Sequence, residues 1–104
     1  MTDPRPIALG WVHPEARAPD WDMAQVRRLA SRLGYRLVWP PETSRIPLAD
    51  QVRESGAEAV IAPSTAHFDP VTLNAVMVVA DVETVLPRLS FARWATKPPS
   101  EGRR

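Results

Sequence analysis

The chain has 104 residues, 44% hydrophobic and 24% charged, with a formal net charge of +1 and no cysteine. That length suits one domain with one core, burying about 60–70% of the surface that the unfolded chain exposes. Disulfides and thiolate metal sites are excluded, no apolar run reaches the roughly 20 residues of a membrane helix, and the charge gives no global drive toward nucleic acid.

The opening MTDPRP carries an acid, prolines and one arginine ahead of a run too short and interrupted for a signal peptide, so a cytoplasmic protein free of the membrane is expected. Twelve prolines then cut the chain into alternating apolar runs and amphipathic stretches, because proline lacks an N–H and disfavours helix at the residue before it. Ile7 to Val12 is the first predicted strand, nearly continuous in hydrophobicity as a parallel strand covered on both faces should be. Gly10 inside it marks a close approach by another backbone or side chain.

DWDMAQVRRLASRLG predicts a helix with Asp20 as N-cap and Gly34 at its left-handed end. Met23, Val26, Ala30 and Leu33 share its inner face with Leu29 beside them, while Arg27, Arg28 and Arg32 take the polar side. Tyr35 to Trp39 is the second strand, stopped by Pro40 and Pro41. A short helix from about Pro47 to Ser55 follows, with Pro47 in its first turn and Gly56 after its end. Glu58 to Ala62 is the third strand, ended by Pro63. Asp69-Pro70 sets an N-cap and a first helical residue, and VTLNAVMVVA continues as helix on the spacing of Leu73, Val76, Met77 and Ala80. Val82 to Leu86 is the fourth strand, Arg88 to Thr96 a last short helix carrying Trp94, and residues 97–104 a disordered tail to a single domain spanning 1–96.

This alternation predicts a three-layer α/β domain with a parallel sheet of about four strands, ordered 2-1-3-4 and joined by right-handed crossovers. Ligands of such sheets bind outside the carboxyl ends of the strands. The segment after strand one supplies His13 and Glu15, and the segment after strand three supplies Ser64, Thr65, His67 and Asp69. Both histidines therefore fall on one rim.

IALGWVHPE, RRLASRLGYRLVW and AVIAPSTAHF together resemble the N-terminal catalytic domain of the serine recombinases of the resolvase and invertase type, over roughly residues 7–87. The resemblance implies a resolvase-like fold within the flavodoxin-like class and a DNA-related or regulatory setting. It sets Trp11 at the family's strand-one aromatic, His13 at its arginine, and Glu15 at its nucleophilic serine. Thr65, Ala66, His67 and Phe68 take the place of its Leu-Asp-Arg-Leu segment. Recombination needs the serine to attack a DNA phosphate and arginines to stabilise the charge that develops. Glutamate at the serine position repels phosphate, and histidine is mostly neutral near pH 7. The family's long dimerising helix and DNA-binding module have no counterpart in these 104 residues. A degenerate, non-recombining relative is expected, working through self-association or a protein partner.

The alternative is a small enzyme or a ligand binder using His13 and His67. Two imidazoles with Glu15 or Asp69 suit zinc or iron. However, His13-Pro14-Glu15 is a strand-exit turn, Asp69 is already an N-cap, and no helical HExxH spacing fixes ligands, so no metal is expected. Ser64 with His67 lacks an identifiable third group, and the absence of a glycine-rich loop after strand one disfavours a nucleotide; no cofactor is expected. Trp11 reads as core, whereas Trp21, Trp39 and Trp94 are placed to reach solvent. Trp94 near Arg88 and Arg93 suits a protein interface or base stacking, although the tail KPPSEGRR is too short and too diluted by Glu101 for a nucleic-acid arm. Finally, VTLNAVMVVA is apolar on more faces than one covering helix requires. A homodimer is expected in which Val71, Val78 or Val79 meets the partner or the C-terminal segment with Phe91 and Trp94.

Overall fold

A computed structural model describes residues 3–41 and 44–93. The elements run β1 (Ile7–Gly10), α1 (Pro19–Leu33), β2 (Arg36–Val38), α2 (Leu48–Ser55), β3 (Ala59–Ala62), a single 3-10 turn (Thr65–His67), α3 (Pro70–Val79), β4 (Asp81–Thr84) and β5 (Leu89–Phe91). They form one five-stranded sheet in the order β2-β1-β3-β4-β5, parallel except for the last pair. Among the described residues no helix is long and apolar enough to cross a membrane.

Side-chain alternation along the central strands sorts the core into two layers. Ala8, Ala59 and Ile61 pack with Val26, Leu29 and Ala30 of α1. Leu9, Val60, Ala62 and Val82 pack on the opposite face with Leu48, Ala49 and Val52 of α2 and Val76 of α3. The path of the chain accounts for this division. It steps outward from β1 to β2 and then back past β1 to β3, so a crossover of constant hand puts α1 on one face and α2 with α3 on the other.

Proline and glycine set the helix ends. Gly34 and Gly56 adopt the left-handed conformation, φ 83° and 73°, and close α1 and α2 with their N–H groups on preceding carbonyls. Asp69 caps α3, its carboxylate accepting the Thr72 N–H at 2.8 Å and the Thr72 hydroxyl at 2.9 Å. The start of α1 differs from expectation. The N-cap position is Ala18 with no side-chain bond, Pro19 opens the helix, and Asp20 lies inside the first turn with Asp22. Pro19 needs no partner for a missing N–H, so the helix begins before the aspartate and uses it only against the dipole. Leu33 is 39% exposed and falls off the inner face, which rests on Val26, Leu29 and Ala30. In α2 Pro47 is the cap rather than the first turn.

A fifth strand stands where a helix from Arg88 to Thr96 was expected, for the part that lies within the described residues. Leu89–Phe91 turns back antiparallel on β4, with Thr84 opposite Leu89 and Val82 opposite Phe91. The buried Thr84 hydroxyl locks the reversal, donating to the Pro87 carbonyl at 2.7 Å and accepting the Leu89 N–H at 3.2 Å. Glu83 adds an ion pair with Arg88 at 2.9 Å and accepts the Ser90 hydroxyl at 3.0 Å. Trp94 and residues 95–104 lie outside the described residues.

Gly10 meets its neighbour as the sequence requires. A Cβ built there would stand 2.6 Å from the Trp39 ring, closer than any side chain tolerates. Gly10→Ala should therefore destabilise the domain by about 1–3 kcal/mol, the usual range for overpacking, measured by urea unfolding. Trp39→Leu should recover part of that loss in the double variant.

Candidate functional site

Because β1 to β4 are parallel, the segments that leave them gather at one end of the sheet. The loop after β1 is pinned to the turn after β3 by two long-range hydrogen bonds. Trp11 Nε1–H donates to the His67 carbonyl at 2.7 Å, and the His13 N–H donates to His67 Nδ1 at 2.9 Å. Trp11 is thus part-buried with its polar edge engaged, not a plain core residue. Within the loop the Glu15 N–H donates to His13 Nδ1 at 3.0 Å, and the Ala16 N–H to the His13 carbonyl at 3.0 Å.

The turn that carries His67 is short and braced locally. Ser64 Oγ accepts the Ala66 N–H at 3.2 Å, the His67 and Phe68 N–H groups bond back to Ser64 and Thr65 carbonyls, and buried Phe68 anchors the exit. Ser64 and Thr65 are half-buried, while His13 and Glu15 are exposed. The fold thus brings His13 and His67 together and joins Glu15 to them only through its backbone N–H. Ser64 is occupied as a turn cap and Asp69 as a helix cap. Among the described residues no three His, Asp or Glu side chains gather to hold a metal ion.

Both imidazoles accept a backbone N–H at Nδ1, so each neutral ring carries its proton on Nε2. Asp22 of α1, which the sequence did not flag, faces the pair: its Oδ2 lies 3.9 Å from His67 Nε2. Burial pushes the His67 pKa below its ordinary value of 6.5 and outweighs Asp22, which pulls it up; His13 adds a small push downward. Asp69 is held below the usual carboxylate range by the Thr72 N–H and hydroxyl.

Two clefts flank this pair. One of about 620 Å³ lies between the exits of β1 and β2, bounded by Trp11 to Pro14, Pro19 and Met23 of α1, Trp39 to Pro41, Ser44 and Ile46, and Leu48 and Gln51 of α2. The other, about 480 Å³, lies over Trp11, His67 and the Asp69 cap. His13 lines both. Nothing in the residue pattern pointed to the first cleft beyond Trp39 before Pro40-Pro41. Trp39 is half-buried there, with the Arg27 guanidinium 5.9 Å from its ring centroid.

Of the expected interface residues, Val71 is 78% exposed and Val78 38% exposed, whereas Val79 and Phe91 pack against the core of their own chain. Compared with family models, curated proteins and solved structures, the chain matches none of them.

His67 makes stability depend on pH with a defined sign. Between the lowered His67 pKa and 6.5 the unfolded chain binds more protons than the folded one. Stability is therefore full above that window and falls as pH drops through it. Protonation at Nδ1 would also expel the His13 N–H. Thermal melts at pH 8 and pH 5 should show a larger loss for the wild type than for His67→Gln, whose amide oxygen accepts an N–H without titrating.

Proposed function

We propose that the chain is a non-catalytic, resolvase-like module that works by self-association through α3. The observation that carries this reading is the outer face of that helix. Leu73, Val76 and Met77 turn toward the core, while Val71, Ala75 and Val78, at the i, i+4, i+7 spacing of one helix face, are exposed. PVTLNAVMVV contains no charged residue. Two copies of a charge-free stripe meet without like-charge repulsion or the desolvation of ions, so a two-fold antiparallel pairing is the arrangement that suits it. The stripe is small, which places the contact below roughly 1,200 Å² and makes the dimer concentration-dependent.

The rim supports the non-catalytic half of the reading. Ser64 Oγ, the Asp69 carboxylate and Nδ1 of both histidines are engaged with backbone N–H groups. Glu15 stands where the recombinase resemblance places the nucleophile. A DNA-related or regulatory setting rests on that resemblance alone. The second reading, a ligand binder beside the histidines, is favoured by His13 lining both clefts.

Sedimentation velocity over a wide concentration range should show a monomer–dimer equilibrium. Val78→Lys should hold the chain monomeric with an unchanged circular dichroism spectrum. A monomer at every concentration overturns the association. Supercoiled plasmid should stay uncut, and a protein–DNA adduct that survives denaturant overturns the non-catalytic assignment.

A further inference from the structure

The smaller cleft lies where the chain changes direction across the sheet. From β1 the chain steps outward to β2 and returns past β1 to β3, so the connections leave β1 and β3 in opposite directions, and ligands of parallel α/β sheets collect at such a point. The cleft of about 480 Å³ opens there, within the roughly 300–1,000 Å³ of small-molecule sites. Trp11, His13 and Pro14 reach it from β1, and Ala66 to Asp69 from β3. Leu48 of α2 and Thr72 of α3 complete the described lining.

Such a position ordinarily suits a phosphate, because the helix that follows points its first N–H groups at the site. Here that role is taken. Asp69 caps α3, its carboxylate accepting the Thr72 N–H and hydroxyl at 2.8 and 2.9 Å, and these bonds hold it ionised. Its full negative charge exceeds the about half a positive charge of a helix start, so the cleft repels anions. No Lys or Arg is among the described residues that line it, and both imidazoles accept a backbone N–H at Nδ1, which only the neutral ring can do. The charge calls for a cation.

The rest of the lining decides which cation. Trp11, Pro14, Leu48 and Phe68 supply apolar surface, and the Trp11 indole has spent its N–H on the His67 carbonyl, which leaves its π surface for a ligand. A primary ammonium would bring three donors. Acceptors for them are scarce, since both Nδ1 atoms are taken and the His67 carbonyl already serves Trp11, so part of its hydration would be lost without replacement. A quaternary ammonium carries no donor, and its methyl groups suit apolar and aromatic walls. We propose that this cleft binds a small quaternary ammonium, with its cationic head against Trp11 and Phe68 and its charge offset by Asp69. The proposal takes up the ligand-binding reading beside the histidines and does not rest on pairing through α3.

Choline is a suitable probe, with the alcohol in which carbon replaces the choline nitrogen as its uncharged isostere and ethanolamine as the primary amine. In ¹H–¹⁵N spectra of the full chain, choline should shift the Trp11 indole signal and leave Trp21, which is 63% exposed on α1, unmoved. The isostere should shift neither at equal concentration, and ethanolamine should bind more weakly than choline. Asp69→Asn removes the charge and keeps a cap, since asparagine serves at helix N-caps as well as aspartate does. It should weaken choline about tenfold with an unchanged circular dichroism spectrum. Val78→Lys, about 13 Å along α3 from Asp69, should titrate as the wild type does, so loss of self-association and loss of this site are read separately. Phosphatidylcholine vesicles distinguish a lipid headgroup from a free ligand, and the chain should stay in the supernatant when they are sedimented. Equal response to choline and either companion, undiminished binding by Asp69→Asn, no Trp11 shift at any choline concentration, or pelleting with the vesicles overturns the proposal.

Discussion

The parallel pairing of β1 with β3 is the constraint on which the rest of the molecule depends. Ala8 sits beside Ala59, Leu9 beside Val60 and Gly10 beside Ile61. Because side chains alternate, this register sends the alanines to the α1 layer and Leu9 with Val60 to the α2 and α3 layer. A slip of one residue would exchange the two sets and ask α1 to pack on Leu9 and Val60 where its buried face meets Ala8, Ala59 and Ile61. The same pairing delivers the chain exits side by side. Only in this register do Trp11 and His13, leaving β1, reach His67, leaving β3.

Gly10 ties the core to the rim by a second route. With no Cβ in the way, the Trp39 ring lies against the backbone of β1, and Pro40-Pro41 then carries the chain away from the sheet edge. The indole fills space over the strand and also forms one wall of the larger cleft. A larger residue at position 10 would push it out and reshape both. Fold and cleft therefore share a side chain, and neither can be altered there alone.

Much of this was legible in the sequence for identifiable reasons. Pro63, Pro40 and the Asp69-Pro70 pair bound their elements through covalent chemistry that tertiary contacts seldom override, and Gly34 and Gly56 end helices because a left-handed residue is needed there. The placement of His13 and His67 on one rim follows from strand direction. What escaped were features set by contacts between side chains. A fifth strand at Leu89–Phe91 depends on the Thr84 hydroxyl and on Glu83 pairing with Arg88 and Ser90, none of which composition announces. Helical spacing misplaced Leu33, which is 39% exposed in the last turn of α1. Asp22 went unnoticed because its meaning depends on where the turn carrying His67 comes to rest. The use of both Nδ1 atoms as acceptors is likewise a property of loop conformation, which no residue pattern encodes.

The distribution of charge singles out two surfaces. Thirteen Lys and Arg and twelve Asp and Glu are spread through a chain of 104 residues, yet α3 has none, and none is among the described residues that line the larger cleft. The two lie apart: α3 covers β3 and β4 with α2, and the cleft opens between the exits of β1 and β2. They are nevertheless joined by a short polar path. His13 lines the cleft, its N–H rests on His67 Nδ1, and the turn carrying His67 leads within two residues to the Asp69 cap that starts α3. A movement of His13 must either carry His67 with it or leave Nδ1 without its donor. Since the ring is only 15% exposed, the second course strands an acceptor away from water, so the His13 and His67 positions are set together rather than one at a time.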